Sequence, residues 1–240
     1  MSTKIVFENS PYSKIWLTAK VSDYNRLNWR TELLLSRNTE KIVGKRVLDL
    51  ACIDGRFSYA AKLLGAKHVT GVEAREESLS KAVTLFKSNQ IEQAEFIVSD
   101  LFEYLPKVEK GSFDVILCFG FLYHTTKQHE FFKEINRIKP EYLFLDTAVF
   151  KNSYWLSKTG IKKPSCLHLV TENHEEGMNT IDETDIAYWP SDSYLEQMLS
   201  FCGYKFSKLN YKSAGIKKWD GLLSYKKGHR SSYIAELSNI

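Results

Sequence analysis

Cysteine is scarce in this chain and badly placed for a framework. Cys52, Cys118, Cys166 and Cys202 lie far apart with no C-x-x-C pair. That spacing argues against a disulfide scaffold or a zinc site and for reduced thiols inside a reducing compartment. The six histidines show neither H-E-x-x-H nor another ligand spacing, so no metal site is expected. No segment reaches the ~18 consecutive apolar residues of a membrane-spanning helix. The first twenty residues carry no long apolar core and no cleavage signal, so the cytoplasm is the expected compartment, with no membrane partner. A strong charge of one sign is missing too: +4 over 240 residues permits an anionic partner without demanding one. The last absence is G-x-G-x-x-G, the turn whose backbone amides cradle a dinucleotide pyrophosphate. A hydride-transferring oxidoreductase is therefore a remote reading.

The segment from Lys45 to Ala82 carries most of the information. Val47-Leu48-Asp49-Leu50 is an apolar strand ending in a turn, Ala51-Cys52-Ile53-Asp54-Gly55. An apolar helix pattern follows, then a second strand, His68-Val69-Thr70-Gly71-Val72-Glu73, which closes on an acid. In a nucleotide-type βαβ unit such an acid accepts hydrogen bonds from ribose hydroxyls. Ala51 and Ile53 stand where glycines would, leaving Gly55 alone. A turn with two acids and one glycine suits a ligand without phosphates that carries a cationic amino-acid tail, as S-adenosyl-L-methionine does. Ile53 at a normally small position predicts a wider turn.

With these residues the chain resembles the class I S-adenosylmethionine-dependent methyltransferases. The likeness continues through Phe96-Ile97-Val98-Ser99-Asp100-Leu101, similar to the family's third strand, and Phe113-Asp114-Val115-Ile116-Leu117-Cys118-Phe119-Gly120, similar to its fourth. Phe121-Leu122-Tyr123-His124 resembles a Leu-Tyr-His ending found in one branch, which includes tRNA wobble-uridine carboxymethylating enzymes and small-molecule methyltransferases. The resemblance covers residues 44–148 well and 189–227 more loosely. It implies a Rossmann-like α/β fold, a seven-stranded, mostly parallel sheet with helices on both faces and an antiparallel last strand. It also implies that Asp49, Ala51 and Gly55 hold the cofactor's amino-acid end, Glu73 the ribose, and Asp100 with Leu101 the adenine, with Ala74 a further cofactor-binding residue. Phe119 would lie beneath the methionine. Asp54 either helps bind the cofactor ammonium or caps the following helix.

Strands alternate with helical stretches from Lys45 to Asp146, as in a parallel sheet. Residues 1–43 read as an N-terminal helical cap, 44–149 as the cofactor-binding core, 150–188 as an insertion or substrate lid, and 189–240 as the remainder of the α/β domain. The insertion breaks the rhythm and is too long for an ordinary connector. Ser191 or Asp192 starts a helix, and Lys205–Tyr211 with Gly221–Lys227 reads as a closing hairpin.

Several side chains carry two readings each. His124, after the fourth strand, is either a general base or a pocket wall. Asp146, ending the fifth strand, either orients His124, holds a substrate hydroxyl, or is simply a terminal acid. Tyr123 belongs to a substrate pocket or to the core. Arg26 and Arg30, one helical turn apart, pair an anionic substrate or the cofactor carboxylate, unless they are solvated charges. Trp16, Trp29 and Trp155 form an aromatic surface or pack in the core. The Lys- and Arg-rich tail from Lys205 to Arg230 is a nucleic-acid stripe or the outer face of a hairpin. Three functions remain open: a small-molecule or sugar O- or N-methyltransferase, an RNA methyl or carboxymethyl transferase, and a non-catalytic cofactor-binding subunit.

Overall fold

The computed structural model describes residues 5–16, 20–151, 165–173 and 185–238. Strands β1 (Arg46–Leu50), β2 (His68–Glu73), β3 (Ala94–Val98), β4 (Val115–Phe119) and β5 (Tyr142–Ala148) pair in parallel. With β8 (Tyr204–Lys208) and β9 (Arg230–Leu237) they form one sheet in the order β3-β2-β1-β4-β5-β9-β8, and β9 runs antiparallel to both of its neighbours. The order of strand addition reverses between β1 and β4, with β2 and β3 on one side and β5 on the other, so a crevice opens at their carboxyl ends; open α/β sheets bind ligands there.

The central strands are continuous apolar runs because both faces are covered. Alternate side chains of one strand point to opposite faces. Val47, Val115, Leu117 and Phe144 join one core with α2 (Arg56–Leu63), α3 (Glu76–Ser88) and α1 (Val21–Leu34). Leu48, Leu50, Ile116, Leu143 and Leu145 join another with α5 (Gln128–Ile138) and α6 (Asp192–Phe201). A smaller core of Leu33, Tyr211, Ile216, Leu222 and Tyr225 fastens the end of α1 to the C-terminal segment. Short 3₁₀ turns flank α1 in the N-terminal segment. Its aromatic residues Phe7, Tyr12 and Trp16 pack on Tyr59 of α2 and on one another.

One expectation about the sheet is corrected. Gly221–Lys227 is not a strand: Leu223–Lys227 forms a short helix, α7, and the strand beside β8 is Arg230–Leu237. Gly221 has φ +75°, and a Cβ there would sit 2.2 Å from the Ser22 carbonyl oxygen, so the chain must turn tightly against α1. Gly228, at φ +74°, ends α7 in the left-handed conformation. Arg230 to Ala235 are all buried, as an interior strand between β5 and β8 requires.

In the insertion, the described residues form a separate antiparallel hairpin, β6 (Leu167–Thr171) with β7 (Ile186–Pro190). Tyr188 of β7 donates its backbone N–H to the Thr125 carbonyl at 3.1 Å, which docks the hairpin beside the end of β4. Among the described residues, no helix is long and apolar enough to cross a membrane.

Candidate active site

A cavity of about 770 Å³ opens at the carboxyl ends of β1, β2 and β4, beneath α1 and the N-terminal cap. Such a volume suits a cofactor together with a small second ligand. Its floor starts at the β1–α2 turn. Ala51 and Ile53 have φ of +52° and +55°, and Gly55 has +71°. The turn is tight, with the Gly55 N–H donating to the Cys52 carbonyl at 2.8 Å. The expected widening at Ile53 does not occur; the shape of a glycine turn is kept with L-residues in the left-handed region. That costs about 1–2 kcal/mol per residue, and a β-branched residue there is a true outlier. Part of the compensation comes from β2: the Ile53 N–H donates to Glu73 Oε2 at 3.2 Å.

Glu73 is buried and its other oxygen, Oε1, accepts the Arg75 N–H at 3.0 Å. A carboxylate offers about four lone-pair sites, so Glu73 retains acceptors for a diol. Asp100 accepts the Phe102 N–H through Oδ1 at 2.7 Å, capping the short helix α4 (Leu101–Tyr104). Of the residues assigned to the cofactor, Ala51, Glu73, Ala74, Asp100, Leu101 and Phe119 line the cavity.

Asp49, Asp54 and Gly55 do not line it. Asp49 is buried beneath the turn, where it accepts the Ser58 hydroxyl at 2.7 Å. Burial pushes its carboxyl up to about 7. Asp54 neither meets the cavity nor caps α2. It forms a two-pronged ion pair with Arg56, both contacts at 2.7 Å, and accepts the Trp16 indole N–H at 2.7 Å. Its role is to clamp the N-terminal cap to the turn. Gly55 serves packing, since a Cβ there would lie 2.8 Å from Ala82 Cβ.

The opposite wall follows β4. His124 ends a 3₁₀ turn, Leu122–His124, and its Nδ1 lies 2.7 Å from Glu172 Oε2 in the insertion hairpin. Gln128 anchors this turn: its buried side-chain amide nitrogen lies 2.6–2.8 Å from the carbonyls of Leu122, Thr125 and Tyr188. An ionised carboxylate only accepts, so Nδ1 carries the proton and Nε2 is the basic atom of the neutral ring. Burial holds the His124 imidazolium below its ordinary value, and Arg230 and Arg75 push the same way against Glu172. The balance favours the neutral ring.

The expectation that Asp146 orients His124 is corrected, because Glu172 has that place. Asp146 is fully buried. Oδ1 accepts from Arg30 Nη2 at 3.0 Å and Arg230 Nε at 2.6 Å; Oδ2 accepts from the Tyr225 hydroxyl at 2.8 Å and the Ser232 hydroxyl at 2.6 Å. Burial alone would raise its carboxyl, but Arg230, Arg30 and the hydroxyls hold it well below the usual carboxylate range. Arg26, Arg30, Arg230, Tyr123 and Trp16 all reach the cavity, and Arg230 lies over the Tyr123 ring at 5.1 Å. Trp29 packs at the small third core instead. Trp155 lies outside the described residues. Sequence reasoning did not single out Glu172, Gln128 or Arg230 as parts of this site; Glu172 was visible only as one acid among six in its segment.

Fold and cavity together define an α/β transferase built for a nucleoside cofactor. A family model described as a methyltransferase domain matches residues 42–190, more than half of the chain. The chain belongs to that family and is an S-adenosyl-L-methionine-dependent methyltransferase. It is 26% identical over 196 residues to a ubiquinone biosynthesis O-methyltransferase of Pseudomonas syringae pv. tomato, covering 79% of this chain and 78% of that protein. A second likeness, 48% over 60 residues, is to a 23S rRNA (uracil(1939)-C(5))-methyltransferase of Acinetobacter baumannii, but spans 24% of this chain and 13% of that protein. Among solved structures, the N-terminal domain of EvdMO1 with SAH bound superposes with a TM-score of 0.65 at 18% identity, covering 92% of this chain and 86% of that one. An S-adenosylmethionine-dependent methyltransferase from Mesorhizobium loti gives 0.59 at 12%, covering 88% and 99%. At these identities the structural likeness speaks for the fold alone. The residues fit the cofactor: Glu73 keeps acceptors for a ribose diol, and Ala51 leaves little side chain between backbone and ligand.

Proposed function

We propose that this enzyme methylates an oxygen or nitrogen of a small molecule, with His124 accepting the proton that the acceptor loses. The observation that carries this reading is the 2.7 Å contact between His124 Nδ1 and Glu172. It fixes the ring so that Nε2 is the free base, the arrangement by which a carboxylate orients a catalytic imidazole. S-adenosyl-L-methionine, when bound, supplies the electrophilic methyl group. Glu73 would hold its ribose, Asp100 and Leu101 its adenine, and Ala51 and Phe119 its methionine end; positioning of both reactants does most of the rest. In this reading the described part of the insertion, the β6–β7 pair, is the substrate-side wall, since it brings Glu172 to the site. The ubiquinone biosynthesis O-methyltransferase likeness favours an oxygen acceptor.

The experiment is a mass-spectrometric screen for a +CH₂ product over phenols, hydroxy acids and sugars, followed by His124→Ala on whichever acceptor responds. The rate should fall by about 10²–10⁴-fold while S-adenosylhomocysteine binds almost as before. A variant that loses cofactor affinity and keeps its rate per bound cofactor would make His124 a wall and sink the base reading.

The short likeness to the rRNA enzyme supports a second reading, RNA as acceptor. It predicts binding of unmodified RNA that weakens steeply with salt. No shift at low salt would remove it.

A further inference from the structure

Arg26, Arg30 and Arg230 all line the cavity, and the single carboxylate placed among them is Asp146. Arg26 and Arg30 stand one turn apart on α1; Arg230 opens β9. Asp146 is saturated by its four partners, two arginines and two hydroxyls. Three guanidinium groups against one carboxylate leave a surplus of two positive charges.

Among the described residues Arg26 forms neither an ion pair nor a hydrogen bond, and its Nε is buried without a partner; Arg30 Nε is in the same condition. Burial opposes the Arg26 charge, and Arg30 and Arg230 repel it further. The other acids of the cavity make their described hydrogen bonds away from Arg26. Asp23 accepts the Lys20 N–H, Glu73 accepts two backbone amides, and Asp100 caps α4. Burial keeps the nearby Tyr225 phenol neutral, so it supplies no anion. No carboxylate of the described residues meets these donors, and buried like charges with unmet donors favour binding of an anion. Guanidinium groups match the oxygens of carboxylates and phosphates in charge and geometry.

We propose that Arg26, together with Arg30 and Arg230, forms a subsite for a carboxylate or phosphate group on the methyl acceptor. This deepens the small-molecule reading above and rests on it only for the identity of the anion's carrier. The cofactor also has a carboxylate, but an ammonium group accompanies it, so it would leave the surplus charge unmet.

Calorimetry on the full chain separates the two sources. Inorganic phosphate, titrated into protein saturated with S-adenosylhomocysteine, should bind at least about tenfold more weakly to Arg26→Gln than to wild type. S-adenosylhomocysteine itself should bind the variant within about twofold of wild type. The proposal is overturned if phosphate binds both proteins alike or neither. It is equally overturned if Arg26→Gln weakens S-adenosylhomocysteine tenfold while its decarboxylated analogue binds both proteins equally, because the anion would then belong to the cofactor. Should Arg26→Gln not fold, the wild-type melting temperature decides. A saturable rise with phosphate over chloride at matched ionic strength supports the subsite, and identical curves refute it. None of these measurements involves turnover, so failure of the His124 base reading would leave their result intact.

Discussion

Replacing Asp146 with Asn should cost this protein a large part of its stability. The substitution keeps the shape of the side chain and removes the charge that Arg30 and Arg230 share at 3.0 and 2.6 Å. Both arginine side chains are almost fully buried, at 11% and 5% exposure, and Asp146 is at 0%. Only the small part of each guanidinium that faces the cavity can be rehydrated, so water replaces the lost carboxylate poorly. Removing one member of such a buried pair costs about 3–5 kcal/mol, because the remaining charges stay uncompensated. Domains are stable by about 5–15 kcal/mol, so a fifth or more of the total is at stake. For a chain of this size the melting temperature should drop by roughly 6–20 °C, at about 2–4 °C per kcal/mol. Urea unfolding followed by circular dichroism at pH 7 measures the loss directly.

The pH dependence gives an independent check on the same variant. Asp146 is held below its unfolded-state value, so its contribution is complete above the ordinary carboxylate range and disappears as pH falls through the depressed folded value. The gap between wild type and Asp146→Asn should be constant from pH 5 to 7 and narrow only in strong acid. A loss below about 1 kcal/mol at pH 7, well under the range for breaking a buried pair, would refute the claim that Asp146 is what neutralises these arginines.

Glu73→Ala should weaken S-adenosylhomocysteine by about 10- to 100-fold, equivalent to about 1.5–3 kcal/mol for a charge-assisted contact; an unchanged dissociation constant in a folded variant would place the ribose elsewhere. With a working acceptor, the wild-type rate should rise with pH through a titration below the ordinary histidine value and be flat by neutrality, since only the neutral ring accepts a proton. Glu172→Gln should move that titration further down, because the carboxylate raises the imidazole value; a profile that does not move would detach Glu172 from the reaction. Gly71→Ala should destabilise by about 1–3 kcal/mol through overpacking, as its Cβ would lie 2.6 Å from the Phe96 ring and 2.9 Å from Cys52 Sγ; unaltered urea unfolding would show that this contact yields freely.

The core of the fold was legible in the sequence because its signals are local. Strands β1, β4 and β5 read as apolar runs since both faces are covered, and the helices between them keep a 3.6-residue period. Glu73, which ends β2, and Asp100, two residues beyond β3, both line the cavity, a position that the local strand pattern alone points to. The last strand was misread, as the edge-strand pattern of β8 gave no hint that Arg230–Leu237 would be buried on both faces between two neighbours.

Tertiary structure alone decided the polar chemistry. Asp146 finds its arginines 116 and 84 residues away, and His124 finds Glu172 at a separation of 48; no periodicity encodes such pairs. Ala51 and Ile53 are poor choices for a left-handed turn, and their sequence argued for a wider one. The bond from Ile53 to Glu73, made across two strands, helps hold them there. The sequence determined the alternating strands and helices of the parallel core and the crevice at their carboxyl ends, because those follow from short-range patterns of burial. Which acid neutralises which base followed only once the chain had folded, because desolvation makes each buried charge depend on whatever neighbour the packing delivers.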